Sequence, residues 1–151
     1  MKYYIAYGSN LNMDQMAFRC PDAVPVGTTV LNGWELTFNS VLTIIPKKAA
    51  KTPVGVWKIS SRDEHYLDAY EGFPRLYRKE EMKITVPGKD GRKRTVNAIV
   101  YIMNSGRKEV CPPTQYYYKT VHDGYRDFGF DTKTLNDAVK RSREEIIARY
   151  A

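Results

Sequence analysis

Along the first two thirds of the chain, apolar and polar residues mostly alternate, and helical spacing is confined to short stretches and the C-terminal end. Lys2–Tyr7 is rich in aromatic and β-branched residues and predicts a strand, which Gly8-Ser9-Asn10 breaks. Asn12 then caps a short helix over Met13–Arg19, with Gln15 at the third helical position. Further strands are predicted at Val24–Val30, Trp34–Asn39 and Val54–Ile59, the last set apart by a loop from Pro46 to Pro53. Ser61-Arg62-Asp63-Glu64 forms a Ser-x-x-Glu capping box, and Tyr66, Leu67 and Tyr70 follow at helical spacing. The helix should stop at Glu71-Gly72, because glycine suits the left-handed position past a helix end. Glu80, Met82, Ile84 and Val86 alternate with Glu81, Lys83 and Thr85, and Thr95–Met103 is the hairpin partner across Pro87-Gly88-Lys89-Asp90-Gly91. Two helices end the chain: one over Thr114–Tyr125, the other with Leu135, Ala138, Val139, Ser142 and Ile146 on one stripe.

Strands and helices do not alternate regularly, which argues against a doubly wound parallel sheet. The predicted class is α+β, a single domain over residues 1–151 with a small mixed or antiparallel sheet, curled towards a barrel and flanked by helices. With 42% apolar and 27% charged residues, the chain has enough hydrophobic content to bury a core. Apolar runs such as Val41-Leu42 and Ile44-Ile45 fall far short of the roughly 18–20 residues of a membrane span. Met1-Lys2 leads directly into a strand pattern with no secretory signal, so a cytoplasmic location is expected. Cys20 and Cys111 have no His or Cys neighbours at ligand spacing, and are expected to be reduced and semi-buried.

Charge opens a second question. There are 24 Lys+Arg against 17 Asp+Glu, a formal net charge of +7, and the pI is about 9.4. Nucleic-acid binding requires such charge to cluster on a face. Only Arg92-Lys93-Arg94 is compact, with Lys47, Lys48 and Lys51 in the predicted loop, while Asp131–Ala151 mixes both signs. A basic rim that attracts small anions uses this distribution better than a polynucleotide would.

Two places could carry chemistry. In Tyr7-Gly8-Ser9-Asn10, a glycine between strand and helix permits close backbone approach, and free N–H groups favour a carboxylate or phosphate. The phosphate-loop and dinucleotide glycine patterns are both missing. Glu71, at a helix C-terminus, faces the negative end of the helix dipole, which favours its protonated form and suits acid/base work. His65 and His122 stand outside any Ser or Cys motif, and no metal or cofactor pattern is present. On their own, a capped turn and an exposed Glu remain alternatives to these readings.

In order along the chain come Tyr4-Ile5-Ala6-Tyr7-Gly8-Ser9-Asn10-Leu11, Arg19-Cys20-Pro21-Asp22-Ala23, Gly55-Val56-Trp57, Leu67-Asp68-Ala69-Tyr70-Glu71-Gly72 and Tyr77-Arg78. Together with Pro113-Thr114-Gln115-Tyr116-Tyr117 and Gly124, this set resembles the gamma-glutamylcyclotransferase-like family over nearly the whole of Lys2–Phe130. The resemblance implies a barrel-like mixed fold and an enzyme that needs no cofactor. The implied reaction is a lyase-type intramolecular acyl transfer, cyclising a γ-glutamyl group to 5-oxoproline with release of an amine or amino acid. It implies that Tyr7, Gly8, Ser9 and Asn10 hold the substrate, that Glu71 is the acid/base, and that Tyr117 and Tyr77 line the pocket. Thr114 stands where the family commonly has serine and keeps the hydroxyl. The implied partner is a small γ-glutamyl molecule, neither nucleic acid nor membrane, and oligomeric state stays open. A non-catalytic small-molecule or partner-binding module on the same fold is the alternative.

Overall fold

A computed structural model describes residues 1–88 and 90–151; Lys89, in the predicted hairpin turn, lies outside the described residues. Five strands form one sheet: β1 (Lys2–Ala6), β2 (Val24–Asn39), β3 (Val41–Ile59), β4 (Tyr77–Pro87) and β5 (Lys93–Met103). Their spatial order is β2-β3-β1-β5-β4, with β1 and β5 parallel and the other neighbours antiparallel. The helices are α1 (Met13–Arg19), α2 (Ser61–Tyr70), α3 (Gln115–Asp127) and α4 (Lys133–Tyr150). The predicted α+β class with a mixed sheet holds. A Cβ placed on Gly27 of β2 would meet Pro87 of β4 at 2.9 Å, so the two edge strands touch and the sheet curls towards a barrel.

The core follows the alternation. Ile5, Val54, Val56, Ile59, Val100 and Leu67 are fully or almost fully buried, and α4 closes one side with Leu135, Ala138, Val139 and Ser142. Ile146, placed on the same stripe by spacing, is only half-buried. Cys111 is half-buried as expected, but Cys20 is completely buried, and burial pushes its thiol up to about 12.

Further features differ from the sequence reading. Val24–Val30 and Trp34–Asn39 are one strand, and the expected Pro46–Pro53 loop is part of β3. Prolines are tolerated there because this half of β3 pairs with β2 alone, β1 having paired only with Gly55–Ile59. The register jumps where Gly33, at φ 83, stands opposite Lys47–Ala50. The α2 capping box also lies one residue earlier than expected: Ser60 Oγ accepts from Asp63 N–H (3.1 Å), and Asp63 accepts from Ser60 N–H (3.1 Å). Asp63 prevails over Glu64 because its buried carboxylate also accepts from Asp22 N–H, whereas Glu64 faces Lys2 and Lys79.

Candidate functional site

After β1 the chain makes a single 3-10 turn, Ser9–Leu11. Leu11 N–H reaches Gly8 C=O and Asn12 N–H reaches Ser9 C=O, both at 3.0 Å. As at any helix start, the preceding N–H groups of Ser9 and Asn10 have no backbone acceptor among the described residues. The turn is held from several directions. Asn12 caps α1 through Gln15 N–H (3.0 Å) and donates to Thr120 C=O of α3 (3.0 Å). Trp57 of β3 donates its indole N–H to Asn10 C=O (3.0 Å). Gly124 lets α3 lie directly on the turn, since a Cβ there would meet Leu11 C and Asn12 N at 2.7 Å.

Glu71 is positioned by the end of α2. Gly72 takes φ 62, its N–H bonds Ala69 C=O, and Phe73 N–H bonds Asp68 C=O (2.9 Å). This double closure fixes Glu71 as the residue on which the helix stops. Glu71 is half-buried and its side chain lines a cavity. That burial raises its pKa from 4.5 to about 7, and the Arg19 guanidinium opposes the rise. Desolvation, the shielding from water that the helix-end position needs for a raised pKa, is the largest cause.

The turn and Glu71 border a cavity of about 230 Å³. This is smaller than the ~300–1,000 Å³ of sites for drug-sized ligands, and matches the head of a small metabolite. Of the predicted site residues, Tyr7, Gly8, Ser9, Glu71, Tyr77 and Tyr117 all line it. Asn10 does not. Its side chain turns away, donating to Tyr4 Oη (2.9 Å) and accepting from Arg19, so it supports the wall from behind.

The tyrosine hydroxyls have different partners. Tyr7 donates to Tyr101 C=O (2.6 Å) and Tyr77 to Leu42 C=O (2.5 Å). Tyr117 accepts from Leu42 N–H (3.1 Å), which leaves its own proton free to turn towards the cavity. Burial raises all three well above the usual phenol value, so they stay neutral donors.

Several lining residues escaped the sequence reading: Tyr4, Tyr70, Tyr101, Leu42 and Lys108. Tyr70 could have been inferred as the neighbour of Glu71. Tyr4 was obscured because strand alternation puts it opposite Tyr7, whereas β1 ends at Ala6 and the turn swings Tyr7 round. Leu42 and Lys108 arrive through long-range packing and have no local signal. Lys108 is the one cation lining the cavity among the described residues, and Arg92, Lys93 and Arg94 lie elsewhere, at the β4–β5 turn.

The family model described as gamma-glutamyl cyclotransferase, AIG2-like matches residues 4–121. Among curated proteins none is similar enough to match. A solved structure named gamma-glutamyl cyclotransferase is similar with a TM-score of 0.72 and 22% identity, over 91% of this chain and 85% of its own. An uncharacterized protein from Homo sapiens is similar with a TM-score of 0.71 and 22% identity over the same shares. YkqA from Bacillus subtilis, of which this chain covers 54%, is similar over 94% of this chain with a TM-score of 0.69 and 20% identity.

Proposed function

The chain belongs to the gamma-glutamyl cyclotransferase, AIG2-like family, and from that membership we propose that it cyclises a γ-glutamyl group to 5-oxoproline, with Glu71 as general acid/base. The observation that carries this reading is one desolvated carboxyl, with a pKa raised to about 7, facing a hydroxyl- and amide-lined cavity of metabolite size.

The reaction needs no enzyme nucleophile, because the α-nitrogen and the γ-carbonyl carbon already belong to one molecule. Folding the substrate into a ring-closing conformation supplies much of the acceleration. Ionised Glu71 removes a proton from the α-ammonium, and the freed amine attacks the γ-carbonyl carbon. Donors of the Gly8–Asn10 turn stabilise the negative charge on the carbonyl oxygen. Glu71 then returns the proton to the departing nitrogen as the γ C–N bond breaks, and the carboxylate so restored takes the second proton from the ring nitrogen, which the released amine carries away as its ammonium. A carboxyl with a pKa near neutrality serves both transfers, since it is neither too weak a base nor too weak an acid. Tyr7, Tyr77 and Tyr117 wall the cavity and exclude water.

Incubation with γ-glutamyl dipeptides, γ-glutamyl amines and glutathione, followed by mass spectrometry, tests this. At least one substrate is expected to yield 5-oxoproline together with its free amine. A full panel without 5-oxoproline overturns the reading in favour of a non-catalytic binding module. The place of action proposed with it is the cytoplasm; among the described residues no helix is long and apolar enough to cross a membrane.

A further inference from the structure

Arg19 ends α1 half-buried, and both of its hydrogen bonds go to neutral amide oxygens: Asn10 Oδ1, and Gln15 Oε1 at 2.9 Å. Its guanidinium carbon lies over the Tyr70 ring, 3.4 Å from the centroid. Tyr70 in turn shares a hydrogen bond with Ser9 Oγ (2.9 Å) and immediately precedes Glu71. One planar cation therefore bridges the Ser9–Leu11 turn to the end of α2, the two pieces that meet at the cavity. Among the described residues its charge has no ion-pair partner.

We propose that Arg19 is a positioning residue of this site: it clamps the donor-bearing turn to the glutamate-bearing helix end and, through its place over Tyr70, keeps its charge at that helix end. The stack and the forked hydrogen bonds need a guanidinium, because an ammonium can neither lie flat on a ring nor bridge two amides in one plane. The charge alone needs only a cation.

The other groups around Glu71 leave this role to Arg19. Tyr4 from β1, Tyr7 just after it, Tyr77 from β4, Tyr101 from β5 and Tyr117 from α3 are all raised by burial and stay neutral. Tyr70 and Ser9 bring hydroxyls that bond each other, and Lys108 reaches the same cavity from the segment after β5. Arg19 is the charge whose field on Glu71 opposes the effect of burial.

The clamp half of the inference rests on the proposed cyclisation; the charge half does not. Arg19→Met and Arg19→Lys are compared with the parent by two readouts. The first is titration of the Glu71 carboxyl in the substrate-free protein by carbon-13 NMR, assigned against Glu71→Gln. The second is 5-oxoproline release across pH. In Arg19→Met the carboxyl should titrate higher by about one pH unit, and turnover should fall by about tenfold or more as the turn and the acid lose registration. Arg19→Lys should restore the titration but not the turnover. An unchanged titration in Arg19→Met overturns the inference, whatever the activity does, because Arg19 would then be no more than packing. Full turnover in Arg19→Lys overturns the clamp. If the parent releases no 5-oxoproline from any substrate, the proposed function fails by itself, while the titration still decides the inference.

Discussion

The two walls of the cavity are built by different means. The wall formed by the Ser9–Leu11 turn and Glu71 rests on near-neighbour rules: a glycine exit from β1, an Asn12 cap, a Ser60/Asp63 capping box and a Gly72 helix stop. The second wall brings together Leu42 of β3, Tyr77 of β4, Tyr117 of α3 and Lys108, four places far apart in the chain. On it, two tyrosine hydroxyls occupy both backbone polar groups of Leu42. The proposed acid sits at a helix end closed by local hydrogen bonds, and the surface proposed to meet the rest of the substrate depends on long-range packing.

This contrast predicts a graded series of effects. Glu71→Gln should lower 5-oxoproline release about 10²- to 10⁴-fold, the range for a lost general acid/base. It should also stabilise the fold. A carboxyl whose pKa is raised from 4.5 to about 7 favours folding fully below 4.5 and loses that contribution as pH rises through 7. The unfolding free energy of Glu71→Gln should therefore draw ahead of the parent's over that window, by at most about 3 kcal/mol.

Gly124→Ala tests whether the first wall also depends on a distant support. Its methyl would meet the Leu11 and Asn12 backbone at 2.7 Å, which overpacking makes worth about 1–3 kcal/mol in thermal or urea unfolding. Activity should fall with it, as the turn is displaced.

Tyr77→Phe probes the second wall. It leaves the Leu42 carbonyl without its donor inside the protein, at a cost of about 1–3 kcal/mol. The same substitution should raise KM more than it lowers kcat, since no hydroxyl of this wall is assigned to proton transfer.

Lys108→Met should have the smallest effect. The residue is exposed and outside any ion pair among the described residues, so stability should stay within about 0.5 kcal/mol. A change confined to the KM of substrates with an anionic leaving group would sharpen the contrast between walls. A large loss of kcat would break it.

The same contrast explains what the sequence revealed. The α+β class, α1 with its Asn12 cap and the Gly72 stop all follow from local pattern and appear where expected. Six of the seven predicted site residues line one cavity because each belongs to, or sits beside, such a motif. Asn10 is the exception: its place in the turn was legible, but the direction of its side chain depends on Tyr4 and Arg19. Pro46 and Pro53 argued for a loop because sequence does not reveal that one side of β3 is unpaired there. Lys108 and Leu42 were invisible because only the folded sheet brings them to Glu71.

The most direct test of the central claim is the pH dependence of kcat/KM for 5-oxoproline release, parent against Glu71→Gln. Activity of the parent should rise with pH on the acid side with a midpoint near 7, set by ionisation of Glu71 in the free protein. Residual activity of Glu71→Gln should lack that limb. The same limb persisting in Glu71→Gln, or a parent profile flat through neutrality, would contradict the assignment of Glu71 as the acid/base.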